Sequence, residues 1–174
     1  MKQVLTTISL MLLVYIAFGQ TNCYFKPDQQ KILSNQNLDF FTGKFLSDTF
    51  KIGKNKKDIP GYIRDQFTCL AGDSFLADPG DYWAADGPIP GVPSLPTRQL
   101  LFFAQSKDVF IISYFHGGPY IETRLVFMRF SGKTLVDTWS GIGDCTCRNI
   151  KCILSYINEN KKKKGRLNSD ALYY

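Results

Sequence analysis

One histidine, His116, is all that the chain holds among 174 residues. Any catalytic, metal-binding or pH-sensing role for imidazole therefore rests on a single side chain. No Gly-x-Ser-x-Gly occurs anywhere, which removes the strained turn that exposes a serine nucleophile in one large class of hydrolases. The five cysteines do not form two closely spaced pairs, the usual pattern of a structural zinc site. After the first twenty residues no apolar run approaches the roughly 20 residues that a membrane-spanning helix needs. A charged fraction of 21%, with 14 Phe and 9 Tyr, excludes a disordered chain. The length is that of one domain rather than of a multidomain enzyme.

What is present begins with an export signal. Lys2 supplies a positive start, residues 4–18 are apolar apart from Thr6, Thr7 and Ser9, and Ala17-Phe18-Gly19 puts small residues at the spacing a signal peptidase reads. Residues 1–19 are thus read as a signal peptide, with cleavage before Gln20, and the mature protein is expected to be secreted or periplasmic. The apolar run, about 15 residues, is short for a membrane anchor.

The chain carries 21 basic and 15 acidic side chains, a net charge of +6. Nine of the bases lie in two clusters: Lys51, Lys54, Lys56 and Lys57, then Lys161, Lys162, Lys163, Lys164 and Arg166. With these and Lys2 set aside, 11 bases face 15 acids, so the body is mildly acidic at −4. Both clusters sit among turn-forming residues without interleaved aromatics or a reading helix, which argues against nucleic acid and for solvated loops. An anionic surface is the polyanionic partner compatible with export.

The expected fold class is all-β, a single-domain antiparallel meander closing into a small barrel or sandwich of seven to eight strands, preceded by residues 20–37 as an N-terminal arm or one short helix. The β domain spans 38–160, and 161–174 form a basic tail. Residues 38–50 and 61–70 carry loosely alternating apolar side chains and read as strands. Residues 100–104, 109–115, 121–130 and 134–139 read as four more, separated by turn-like segments at 106–108, 116–119 and 131–133. Val109-Phe110-Ile111-Ile112 is apolar on both faces, so this strand is expected at the centre. Residues 150–157 supply a seventh strand and 165–174 a possible eighth. Between 71 and 96, Gly, Asp and Pro dominate in one long irregular loop, a length that often accompanies function.

Asn37-Leu38-Asp39 followed by Gly43-Lys44-Phe45 resembles the opening of secreted lipocalins, with Phe45 in place of the family's tryptophan. Phe130-Ser131-Gly132-Lys133 with Trp139 is similar to the last hairpin of the nuclear-transport-factor-2-like group, whose long opening helices have no counterpart in the sequence. Each likeness covers a few residues and assigns no family.

Cys23, Cys69, Cys145, Cys147 and Cys152 all fall in the exported part, where disulfides are expected. Cys145 and Cys147 are too close to pair comfortably, so one of them is expected to reach Cys152 or an upstream cysteine. A zinc site on Cys145-x-Cys147-x4-Cys152 departs from the usual spacing, and no metal or other cofactor is expected. His116-Gly117-Gly118 is like the glycine-rich oxyanion loop of esterases. The alternative is a tight turn in which both glycines take positive φ and Pro119 fixes the exit. Asp73, Asp78, Asp81 and Asp86 bring four carboxylates near Tyr82 and Trp83, a set that suits calcium, acid–base work on a sugar, or a loop pinned to the sheet. The expectation is an exported, non-catalytic protein that binds a small ligand or partner through the 73–96 loop, with Asp78, Asp81, Tyr82, Trp83, Asp86 and His116 at the site. A hydrolase using the loop carboxylates or His116, and an envelope or matrix interaction protein using the basic tail, are the other two classes.

Overall fold

The computed structural model describes residues 24–72, 76–86, 95–144, 147–163 and 166–167. The signal peptide, Cys23, Asp73, Cys145 and the last seven residues of the tail lie outside the described residues, as do 87–94 of the long loop.

Four long strands form the meander that the turn spacing implied: β3 (Arg98–Gln105), β4 (Val109–His116), β5 (Glu122–Ser131) and β6 (Thr134–Ile142). Two short strands, β1 (Lys51–Gly53) and β2 (Leu76–Ala77), both pair with β3, antiparallel and parallel respectively. The sheet runs β1-β3-β4-β5-β6, with β2 beside β3. β4 is central, and Val109 through Tyr114 are buried on both faces, as the apolar run required. Gly132, at φ 63°, supplies the left-handed turn residue between β5 and β6.

The sheet is open among the described residues, so the expected barrel or sandwich is corrected. Three expected strands are helices. Residues 38–50 form α2 (Leu38–Ser47), which follows the short α1 (Gln29–Leu33) of the N-terminal arm. Its buried side chains are Leu38, Phe41, Thr42 and Phe45, the i, i+3, i+4, i+7 spacing of one helical face. Residues 61–70 belong to α3 (Gly61–Ala71), opened after Pro60 and closed by Gly72 at φ 70°. Residues 150–157 belong to α4 (Ile150–Asn160), whose Asn149 side chain accepts from the backbone N–H of Cys152 as an N-cap. In α3 and α4 the buried pairs Ile63/Phe67 and Ile153/Ile157 stand four apart. A strand would have sent such pairs to one face with a third residue between them.

These helices divide between the two faces of the sheet. Against the first, α1, α2 and α4 bury Ile32, Leu38, Phe41, Phe45, Ile153 and Ile157 on Leu125, Phe127 and Trp139. Phe127 is the hub: its ring centroid lies 5.7 Å from Phe41, 4.9 Å from Phe45 and 4.8 Å from Trp139. Against the second face, α3 buries Ile63 and Phe67 on Leu100, Phe103, Phe110, Ile112, Tyr114, Val126 and Met128. A bulge between Leu100 and Phe102 in β3 lets Leu101 and Phe102 both join the first face while Leu100 and Phe103 join the second.

Polar groups lock the α1–α2 corner to β6. Asn37, 3% exposed, donates from Nδ2 to Asp137 Oδ1 at 2.9 Å and to the Thr138 carbonyl at 2.7 Å. Lys31 pairs with Asp137 at 2.8 Å, and the Trp139 indole N–H donates to Asn35 Oδ1 at 2.9 Å. Cys147 is bonded to Cys152, which staples the segment before α4 to its first turn. Cys69 is also disulfide-bonded. Among the described residues no helix is long and apolar enough to cross a membrane. A disulfide-bonded domain of this kind is compatible with an extracytoplasmic location.

Candidate functional site

The first basic cluster, which reads as a solvated loop, frames a cavity. After β1 the chain makes a single 3₁₀ turn, Lys56–Asp58, in which the Asn55 side chain accepts from the Lys57 N–H. Ile59 then dips into the core and Pro60 starts α3. The start of the long loop ties this turn down: the Lys56 N–H donates to Asp78 Oδ1 at 2.6 Å and Lys56 Nζ to the Leu76 carbonyl at 2.8 Å. The turn, α3 and β2 thus meet above the middle of β4 without filling the space beneath them.

What remains is a cavity of about 340 Å³, within the range of about 300–1,000 Å³ usual for small-molecule sites. Its floor is Phe110 and Ile112 of β4, and its apolar walls are Ile59, Ile63, Phe67 and Leu76. Lys56, Lys57, Arg64, Asp65 and Thr68 also line it. Among the described residues neither Lys57 nor Arg64 enters an ion pair, and both are exposed. The arrangement is a partly open pocket of mixed lining, backed by buried apolar side chains and edged by three cations and one acid.

His116 lies at the far end of the same sheet face. Alternation along β4 puts it on the side of Phe110, Ile112 and Tyr114. Its register partners are Arg98 on β3 and Glu122 on β5. Burial pushes the imidazole below its ordinary pKa, the positive charges of Arg124 and Arg98 push it further, and Glu122 opposes them. Among the described residues His116 Nδ1 is buried without a hydrogen-bond partner. The surrounding cleft, about 310 Å³, is lined by His116, Gly117, Gly118, Pro119, Tyr120, Glu122 and Arg124, a set with no Ser, Thr or Cys to act as a nucleophile. The Glu122 carboxylate is held by Arg124 at 2.7 Å.

The long loop reaches the turn after His116 through Ala85, while its Trp83 lies on Phe115, whose side chain belongs to the first face of the sheet and not to the His116 face. The indole stacks on Phe115 at 6.2 Å, with Arg148 over the same Phe115 ring at 5.4 Å. Behind it, the N–H groups of Gly117 and Gly118 donate to the carbonyls of Thr97 and Ala85, at 2.8 and 2.9 Å. A Cβ on Gly117 would come within 2.6 Å of the Ala84 and Ala85 carbonyl oxygens. Gly117 is therefore required by close approach, and the positive φ expected at Gly117 and Gly118 is corrected, since the only positive-φ glycines among the described residues are Gly72, Gly80 and Gly132. These two N–H groups are also spent on backbone carbonyls, which leaves no oxyanion loop.

The carboxylates do not converge. Asp78 is engaged by the Lys56 N–H, Asp81 sits in an exposed turn closed by its own N–H on the Asp78 carbonyl, and Asp86 is exposed. Tyr82 projects into solvent at 90% exposure. Among the described residues no group of three or more His, Cys, Asp or Glu side chains is placed to hold a metal, and the Cys147–Cys152 bond consumes two of the sulfurs that a zinc site would need. Of the expected site residues, Trp83 stacks on Phe115, on the face of β4 opposite His116, and Asp78 does not line the cavity but accepts from the N–H of Lys56, which does. The cavity itself escaped the sequence reading. Lys56-Lys57 followed by buried Ile59 and the Ile63/Phe67 pair was the signal for it, legible once 61–70 is taken as helical. Comparison of the chain with protein-family models, with curated proteins and with solved structures finds no match.

Proposed function

We propose that the protein is an exported, non-catalytic binding protein whose small ligand occupies the cavity between α3, the 3₁₀ turn and β4. The 73–96 loop takes part through Leu76 in the wall, and its Asp78 holds the backbone of the lining residue Lys56. The observation that carries this reading is the pocket of about 340 Å³ backed by Phe110 and Ile112, because apolar residues behind a mouth of a few convergent charged groups are the usual make-up of a small-molecule site. Binding by apolar contact needs no reacting group, which agrees with a lining that offers none. The test is titration with an apolar fluorescent dye, anilinonaphthalene sulfonate, against the folded protein and against Thr68→Trp, which narrows the chamber from the half-buried edge of α3. Saturable binding that falls about tenfold or more in the variant, with the unfolding midpoint held, is the expected result. Equal binding by both proteins would place the ligand elsewhere.

A further inference from the structure

We infer that the cavity takes an amphipathic anion, an apolar chain or ring bearing one carboxylate or similar acidic head. This deepens the reading above and rests on it. The apolar body is matched by Ile59, Ile63, Phe67, Leu76, Phe110 and Ile112, which offer aliphatic and aromatic contact but no buried donor or acceptor to orient a polar molecule. The head is matched at the rim. Three cations, Lys56, Lys57 and Arg64, face one acid, Asp65, among the lining residues.

Lys56 is already committed to the Leu76 carbonyl, so the available donors belong to Lys57 and Arg64. A carboxylate meets a guanidinium in a two-pronged, charge-assisted geometry, and an ammonium adds a second point charge. Because both side chains stand at an exposed mouth, the anion keeps part of its hydration and avoids the full cost of burying a charge. A cationic head would meet like charge at the same place. A neutral alcohol would gain the apolar contacts alone. Chain burial supplies the affinity in this arrangement, and the rim supplies the discrimination between head groups.

The experiment compares decanoate, decanol and decyltrimethylammonium by calorimetric titration of the mature protein near neutral pH, where the carboxylate is ionised. Decanoate is expected to bind about fivefold more tightly than decanol, the scale of exposed charge pairs, and the ammonium most weakly. The decanoate advantage should shrink in about 1 M salt, where screening acts over about 3 Å. In the double variant Lys57→Gln, Arg64→Gln, decanoate should fall to the level of decanol while decanol is unchanged. Decanol binding as well as decanoate in the unaltered protein would overturn the head-group assignment and leave the cavity reading standing. No binding of any of the three would overturn both, and the ranking in the unaltered protein decides the matter even if a variant fails to fold.

Discussion

The two faces of the central sheet start from similar material, alternating aromatic and aliphatic side chains on the same four strands, and both end buried, yet one lies under three helices and the other under a single helix with a pocket beside it. Three helices cover the first face, and their aromatic rings interlock around Phe127. A single helix covers the second, with a 3₁₀ turn and a two-residue strand filling in beside it. The difference teaches that the open space is a matter of covering area, since a lone helix about 10 Å wide cannot roof several strands spaced roughly 4.8 Å apart. The uncovered remainder is the chamber at one end of α3 and the His116 cleft beyond the other. At the C-terminal end of α3 the buried Arg98 donates to the Ala71 carbonyl at 3.0 Å.

The comparison breaks most visibly at its hub. Phe127→Ala on the three-helix face should cost about 3–5 kcal/mol, because neighbours locked on three sides cannot collapse into the space. Ile63→Ala on the other face should cost about 2 kcal/mol, at the low end for such a change, since that side chain already borders a void. Chemical denaturation of the two variants measures the gap, and equal losses would mean that the chamber is filled in solution. Asn37→Ala should cost about 1–2 kcal/mol by leaving the Asp137 and Thr138 acceptors without their shared donor. That loss should leave dye binding in the chamber intact, since the Asn37 lock lies on the opposite face.

The smallest effect is the pH response of the cleft. His116 has a folded-state pKa below the ordinary value of 6.5, so the unfolded chain binds the proton more readily. Stability is therefore full above that value and declines as pH falls from it toward the lowered folded-state value. In His116→Gln this part of the pH profile should flatten, as seen in unfolding midpoints followed from pH 7 downward. A profile unchanged by the substitution would show that other groups govern acid sensitivity.

The meander was legible because its information is local: β-branched and aromatic runs of strand length, each joined to the next by a turn of a few residues. The central place of β4 followed from residues 109–112, apolar on both faces. The helices were misread because Phe- and Tyr-rich segments satisfy a loose alternation, although Leu38, Phe41, Thr42 and Phe45 stand at helical spacing and Pro60, Gly72 and Asn149 mark helix ends. Of the candidate site, the chemistry of Trp83 and His116 says nothing about which face of β4 each reaches, and the fold puts Trp83 on Phe115, across the sheet from His116. The carboxylates were chosen on proximity in sequence, and backbone turns dispersed them.

The sequence by itself determined the four-strand meander and its central strand, because each depends on residues near one another along the chain, and it left Cys152 or an upstream cysteine as the partner of one closely spaced cysteine, a choice the structure makes as Cys147–Cys152. Only the tertiary structure decided that the sheet stays open, that its two faces are roofed unequally, and that a lysine-rich turn stands over Phe110 and Ile112. Those outcomes depend on how much area each helix can cover once all of them compete for the same sheet. That competition is settled by long-range packing, which no local pattern encodes.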